Sequence, residues 1–195
     1  MARLKFIGII KETNINKYQK CSIDNKLNPI SSDKDNIQLK AIPICIVLIV
    51  LCNILLFIKV FSSTIKINPL FMIIGFVIGI LLLFVHEILH GVVYPKKAVV
   101  SIGFVPPITF VALGSCPMNK SRFALMCLLP FILGIIPMIL FLLLNDSAMC
   151  CLLFGIMCIG LISPYPDVYN VYQIIRKVPK GKKVLFYEDL LAYIE

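Results

Sequence analysis

Four long apolar blocks constrain this chain more than any other feature: Ala41 to Val60, Pro69 to Tyr94, Phe123 to Leu144 and Ala148 to Ser163. At 1.5 Å per residue, the first three are long enough as helices to cross a hydrocarbon core of about 30 Å. The fourth reaches only about 24 Å, so it has to borrow Pro164 and Tyr165 or thin the bilayer. Composition agrees: 59% of the 195 residues are hydrophobic, only 15% are charged, and the mean hydropathy is +0.96, outside the range of water-soluble domains. The fold class that follows is an all-α polytopic membrane protein of about four transmembrane helices. The first forty residues are polar and the first apolar block is too long for a signal peptide, so the spans themselves are the expected targeting signal.

Orientation follows from the basic residues. All 19 lysines and arginines except Lys59 and Lys66 lie before the first span, between the second and third, or after the fourth. With four spans those segments share one side, and the positive-inside rule makes it the cytoplasm, with both termini there, in the cell membrane. A basic face beside anionic lipid accounts for the net charge of +9 without a nucleic-acid partner. Cys45, Cys52, Cys127, Cys150, Cys151 and Cys158 fall within the apolar blocks and no CxxC pair occurs, so they read as small buried hydrophobes; Cys21 and Cys116 lie outside the blocks.

The second block ends in "LLFVHEILHGVVYP", Leu82 to Pro95. His86 and His90 are the two histidines of the chain, four residues apart and therefore on one helical face, with Glu87 beside them. This HExxH spacing suits two imidazoles binding Zn²⁺ and a carboxylate that takes a proton from water. A chance match of a short pattern is the plain alternative. An ionisable residue at membrane depth is costly, however, and a divalent cation is a partner that compensates for it. A catalytic zinc usually takes a third protein ligand, which here has to be a carboxylate or a cysteine. Asp146 sits in a turn on the opposite side, and Glu12, Asp24, Asp33, Asp35, Glu188, Asp189 and Glu195 lie in polar ends. Asp167 in "LISPYPDVYN" follows the fourth span, which runs parallel to the second, and so reaches the depth of the histidines. It also suits a helix N-cap for the residues that follow. Gly75 and Gly79 share a stripe with the histidines and mark that face for close packing, while Gly160 on the fourth span points roughly towards Asp167.

At "HEILHG" and the later "PDVYN", the chain resembles the membrane-embedded zincin peptidases that group with site-2 intramembrane proteases, over Pro69 to Lys183. The resemblance implies zinc ligation by His86, His90 and Asp167, general-base duty for Glu87, and a supporting place for Asn170. Between the second and third spans, "AVVSIGFVPPITFVALGS" alternates β-branched and small residues about Pro106 and Pro107, which predicts a small β-hairpin. Its edge is suited to holding an extended substrate backbone. Residues 1–40 read as a cytoplasmic extension, partly ordered at best; 41–165 as the membrane zincin core; and 166–195 as a cytoplasmic tail with an interfacial helix. Pro130 and Pro137 predict kinks in the third span.

The function expected from these residues is a membrane zinc metalloprotease that cleaves a membrane-anchored or membrane-proximal peptide. Two other classes are compatible with the same residues: a metal-clamped binding or immunity-type protein with Cys116 as a fourth ligand, and a metal or proton transporter.

Overall fold

The structure is a computed structural model that describes residues 2–10, 18, 27–30, 37–62, 65–106, 109–187 and 190–195. Cys21, Pro107 and the acidic residues Glu12, Asp24, Asp33, Asp35, Glu188 and Asp189 lie outside the described residues.

Each apolar block forms helix. Helix α1 is Ile37–Ser62 and α2 is Pro69–Val93. The third block is interrupted: α3, Lys120–Leu128, passes through a 3-10 turn, Leu129–Phe131, into α4, Ile132–Leu143. Pro130 sits in that turn, as a residue without an amide donor requires, while Pro137 lies inside α4. The fourth block is α5, Ser147–Ile162, and after a turn at Ser163 and Pro164 the chain continues as α6, Tyr165–Lys177. Four stretches, Ile37–Ser62, Pro69–Val93, Lys120–Leu143 and Ser147–Lys177, are long and apolar enough to cross a membrane. The short fourth block is thus extended through the turn at Ser163 and Pro164 into α6.

The expectation of an all-α chain with one hairpin has to be corrected, because the described residues form two sheets. The predicted hairpin exists as β3, Val99–Val105, and β4, Thr109–Leu113, paired antiparallel from Ser101 with Leu113 to Val105 with Thr109. Beside it, β1, Arg3–Ile9, pairs with β3 in parallel, so part of the N-terminal extension is built into the fold. The register slips between Phe6 and Gly8, where Gly8 takes φ +69, a conformation costly for residues with a Cβ. The second sheet has the order β2-β7-β6-β5, with β2 Leu27–Pro29, β5 Met118–Asn119, β6 Lys183–Tyr187 and β7 Leu190–Ile194.

The chain divides into two compact units. One, Ala41–His86 with Pro130–Pro166, is helical, and its core joins Cys52, Phe141, Phe154 and Met157. Within it Gly75 meets the backbone of Leu152, Gly79 the side chain of Ile159, and Gly155 the backbone of Phe76 and Gly75, so the glycine stripe of α2 is its close-packing face against α5. Gly160 is also a close-packing position: a Cβ there falls on the backbone of Leu133 and Gly134, so this glycine is packed against α4. The other unit takes the described residues of Met1–Lys40, Glu87–Leu129 and Asp167–Glu195, and it holds both sheets. Its core gathers Val100, Phe123, Cys127, Ile174, Val184 and Leu191 from strands and helices alike.

Candidate metal centre

His86 and His90 stand one turn apart near the end of the continuous helix α2, which places both rings on one face of it. His90 is held from both sides. Its Nδ1 lies 2.8 Å from the carbonyl oxygen of Met126 on α3, and its Nε2 lies 3.4 Å from Oδ2 of Asp167. A carbonyl only accepts, so Nδ1 carries a proton and Nε2 is the ring atom that faces the aspartate and is placed for a metal. His86 is buried, and its Nδ1 is 3.5 Å from the hydroxyl of Ser163, at the long end of a hydrogen bond. That contact favours Nε2 as the ligand atom of His86 as well.

Asp167 reaches this position because of how α6 begins. The helix starts at Tyr165, so Asp167 lies in its first turn, inside the helix and not at the cap. A carboxylate there meets the positive end of the helix dipole. Pro166, immediately before it, also lies in the first turn, where a missing backbone donor costs nothing. Side-chain exposures of 12% for His90 and 19% for Asp167 leave the pair reachable by water without opening it to bulk solvent.

One ligand atom from each of His86, His90 and Asp167 lies within 4.8 Å of the others, a set able to hold a metal ion. The donors suit zinc in kind: two imidazoles and a carboxylate are a three-protein-ligand set that leaves one position for water. One pair suits it in spacing as well: two donors about 2.1 Å from a tetrahedral ion stand about 3.4 Å apart, which is the His90–Asp167 distance. Glu87 is half-buried beside His86. Cys116 does not belong to the cluster and packs at the edge of the core around Phe123.

Two contributors carry no signal of residue type. The Met126 carbonyl could not be read from its side chain, and Ser163 is marked only by being a hydroxyl at the end of an apolar block. Asn170, one turn beyond Asp167, is 6% exposed, and its Oδ1 has no partner among the described residues. Gln173 a turn later is 3% exposed with Nε2 in the same condition. A buried acceptor and a buried donor one turn apart suit an ordered water between them.

A mainly helical protein with His-x3-His on one helix, a glutamate between the histidines and an aspartate from a second helix is of the class built around a His-His-carboxylate metal set. A family model described as "Putative zincin peptidase" matches residues 79–183, over half of the chain, and the chain belongs to that family. No curated protein and no solved structure matches it.

Proposed function

We propose that this chain is a membrane-embedded zinc metallopeptidase of the site-2 type that hydrolyses a membrane-anchored or membrane-proximal peptide. The observation that carries the reading is the convergence of His86, His90 and Asp167 around an HExxH glutamate in a zincin-family chain. Four helices long and apolar enough to cross a bilayer support the membrane setting, and the basic residues favour both termini on the cytoplasmic side.

His86, His90 and Asp167 would hold the zinc, which when bound would supply Lewis acidity towards water and a peptide carbonyl. The remaining work belongs to the chain. Glu87 takes the proton from water and delivers it to the departing amine, so one carboxylate serves as base and then acid. Met126 keeps the proton of His90 on Nδ1 and thereby its Nε2 available. In the sheet ordered β1-β3-β4, strand β4 is an outer strand, and its edge suits an extended substrate backbone.

The deciding experiment compares Glu87→Gln with wild type on a model membrane peptide, with bound zinc quantified in the same sample. Glutamine keeps the shape of the side chain and removes the base. Zinc content is expected to stay at one per chain while cleavage falls by about a hundredfold or more. Undiminished cleavage in zinc-loaded Glu87→Gln ends the peptidase reading. In the same series, His90→Ala and Asp167→Ala are expected to lose zinc, because two ligands do not complete the site. Reporter fusions at residues 1 and 195 check the topology, and termini on opposite faces count against it.

A further inference from the structure

We propose that Lys120 and Arg122, in the first turn of α3, form a clasp that sets the position of both ligand-bearing helices, and that they are positioning residues for the metal centre. This rests on the metal-site reading above. The last carbonyls of a helix have no donor within it, and cations there also face the negative end of its dipole. Helix α2, which carries His86 and His90, ends at Val93. Arg122 Nε donates to the carbonyl of Val93 at 2.7 Å, and its Nη2 donates to that of Tyr94 at 3.2 Å. Helix α6, which carries Asp167, ends at Lys177, and Lys120 Nζ donates to the carbonyl of the next residue, Val178.

Both cations stand in a turn that is itself fixed, because Asn119 caps α3 by accepting the Arg122 amide at 3.0 Å. One turn later the carbonyl of Met126 receives the His90 ring. Helix α3 therefore holds α2 twice, at its C-terminal carbonyls and at the ligand. The far side of that grip is rigid too, since the buried Tyr94 donates its hydroxyl to the carbonyl of Gly114 at 3.0 Å.

The two cations differ in reach. His90 stands three residues before Val93, about 4.5 Å along the axis, whereas Asp167 is eleven residues before Val178, about 16 Å away. Displacement of a helix end is transmitted with less loss over the shorter span, so Arg122 outweighs Lys120. Arginine also spans two carbonyls with a planar fork, whereas a lysine in its place satisfies one at a time.

The test uses the full chain in detergent or nanodiscs and reads zinc affinity by chelator competition, the visible spectrum of the Co²⁺-substituted protein, and thermal unfolding. Arg122→Met is expected to weaken zinc binding about tenfold, the lower end for a residue that orients a ligand, and to shift the cobalt spectrum in protein that is still folded. Lys120→Met is expected to weaken it about twofold to threefold, and Arg122→Lys, which satisfies one carbonyl at a time, to recover only part of the loss. Lys97→Met, which removes the same charge from an exposed position, is expected to change neither affinity nor spectrum. Arg122→Met with wild-type affinity and spectrum overturns the clasp, as does equal weakening by Lys97→Met, which would make the effect one of bulk charge. Should Arg122→Met not accumulate, Arg122→Lys and Lys120→Met carry the test, and wild-type behaviour of both counts against it. A wild-type chain that takes up neither metal overturns the metal reading and the clasp with it; metal uptake with unmoved variants overturns the clasp alone.

Discussion

The helical unit and the mixed unit of this chain solve the same packing problem by different means. In Ala41–His86 with Pro130–Pro166, nearly every side chain is apolar whether it faces inward or outward: Val47, Phe57 and Leu81 are exposed while Phe141 and Met157 are buried. What distinguishes the inner surfaces is smallness, with Gly75 and Gly155 on one contact and Gly134 and Gly160 on another. In the mixed unit the large apolar residues Phe123, Ile174, Leu185 and Leu191 are fully buried, and polar links such as Tyr94 to Gly114 are specific. The first pattern suits an apolar solvent, where dispersion and close approach hold helices together; the second suits water, where burial itself is the driving force.

The sharpest way to break the comparison is at Gly160. A Cβ there would stand 2.6 Å from the backbone of Leu133 and Gly134, and backbone cannot give way as a side chain tip can. Gly160→Leu is expected to destroy stable folding, a loss above about 4 kcal/mol, whereas the exposed Val47→Leu on α1 should stay within about 0.5 kcal/mol. Size-exclusion profiles and melting of the two variants check this, and a monodisperse, thermally normal Gly160→Leu protein would remove the small-residue argument.

Next in size is the mixed unit's own core. Phe123 is fully buried with its ring centroid 5.2 Å from that of Phe186. Phe123→Ala is expected to cost about 3 to 5 kcal/mol, seen in denaturant or thermal unfolding; a loss below about 1 kcal/mol would mean that this unit, too, is held by something other than burial.

Metal removal sharpens the contrast because two of the three candidate ligands, His90 and Asp167, belong to the mixed unit and none lies on α1. Free zinc at a hundred times its dissociation constant stabilises by about 2.7 kcal/mol. Chelation is expected to speed amide exchange around His90 and Met126 and to leave α1 unchanged. Equal acceleration along α1 would show that the metal supports the whole chain and not this unit.

The smallest effect concerns a polar contact inside the helical unit. Lys59 is buried, and its Nζ donates to the carbonyl of Leu142 at 2.8 Å and to Asn145 Oδ1 at 3.1 Å, at the C-terminal end of α4. Lys59→Met is expected to cost about 1 kcal/mol, because the lost bonds are partly offset by relief from burying a charge. A stabilised variant would show that the cation is retained for something other than holding the end of α4.

Local patterns made much of the architecture legible. Uninterrupted apolar runs have to become helices wherever water is excluded, so all four blocks were visible to within a few residues, as was the break at Pro130. The i, i+4 spacing of His86 and His90 needs only a helix to become a face. The hairpin at Val99–Leu113 was visible because its strands pair with their sequence neighbours. Strand β1 was hidden for the opposite reason: it pairs with a strand some ninety residues away, and Phe6 and Ile9 are exposed, so no alternation of burial betrays it. The second sheet was equally hidden, since Leu27 is paired with Ile194.

The chain alone thus singled out the candidate ligands and their places along the helices, because composition and helical rise are local properties. That Asp167 was the candidate partner of the histidines followed from depth alone. Only the tertiary structure decided that the aspartate lies inside the first turn of α6, with Oδ2 3.4 Å from His90 Nε2, and that Gly160 is packed on α4. The place of the aspartate depends on the turn at Ser163 and Pro164, where the helical phase is reset and extrapolation of 100° per residue from α5 fails; the partner of Gly160 depends on which helix lies against α5. The choice of Met126 to hold the His90 ring was also beyond the sequence, since a backbone carbonyl is the same at every residue and only folding selects one.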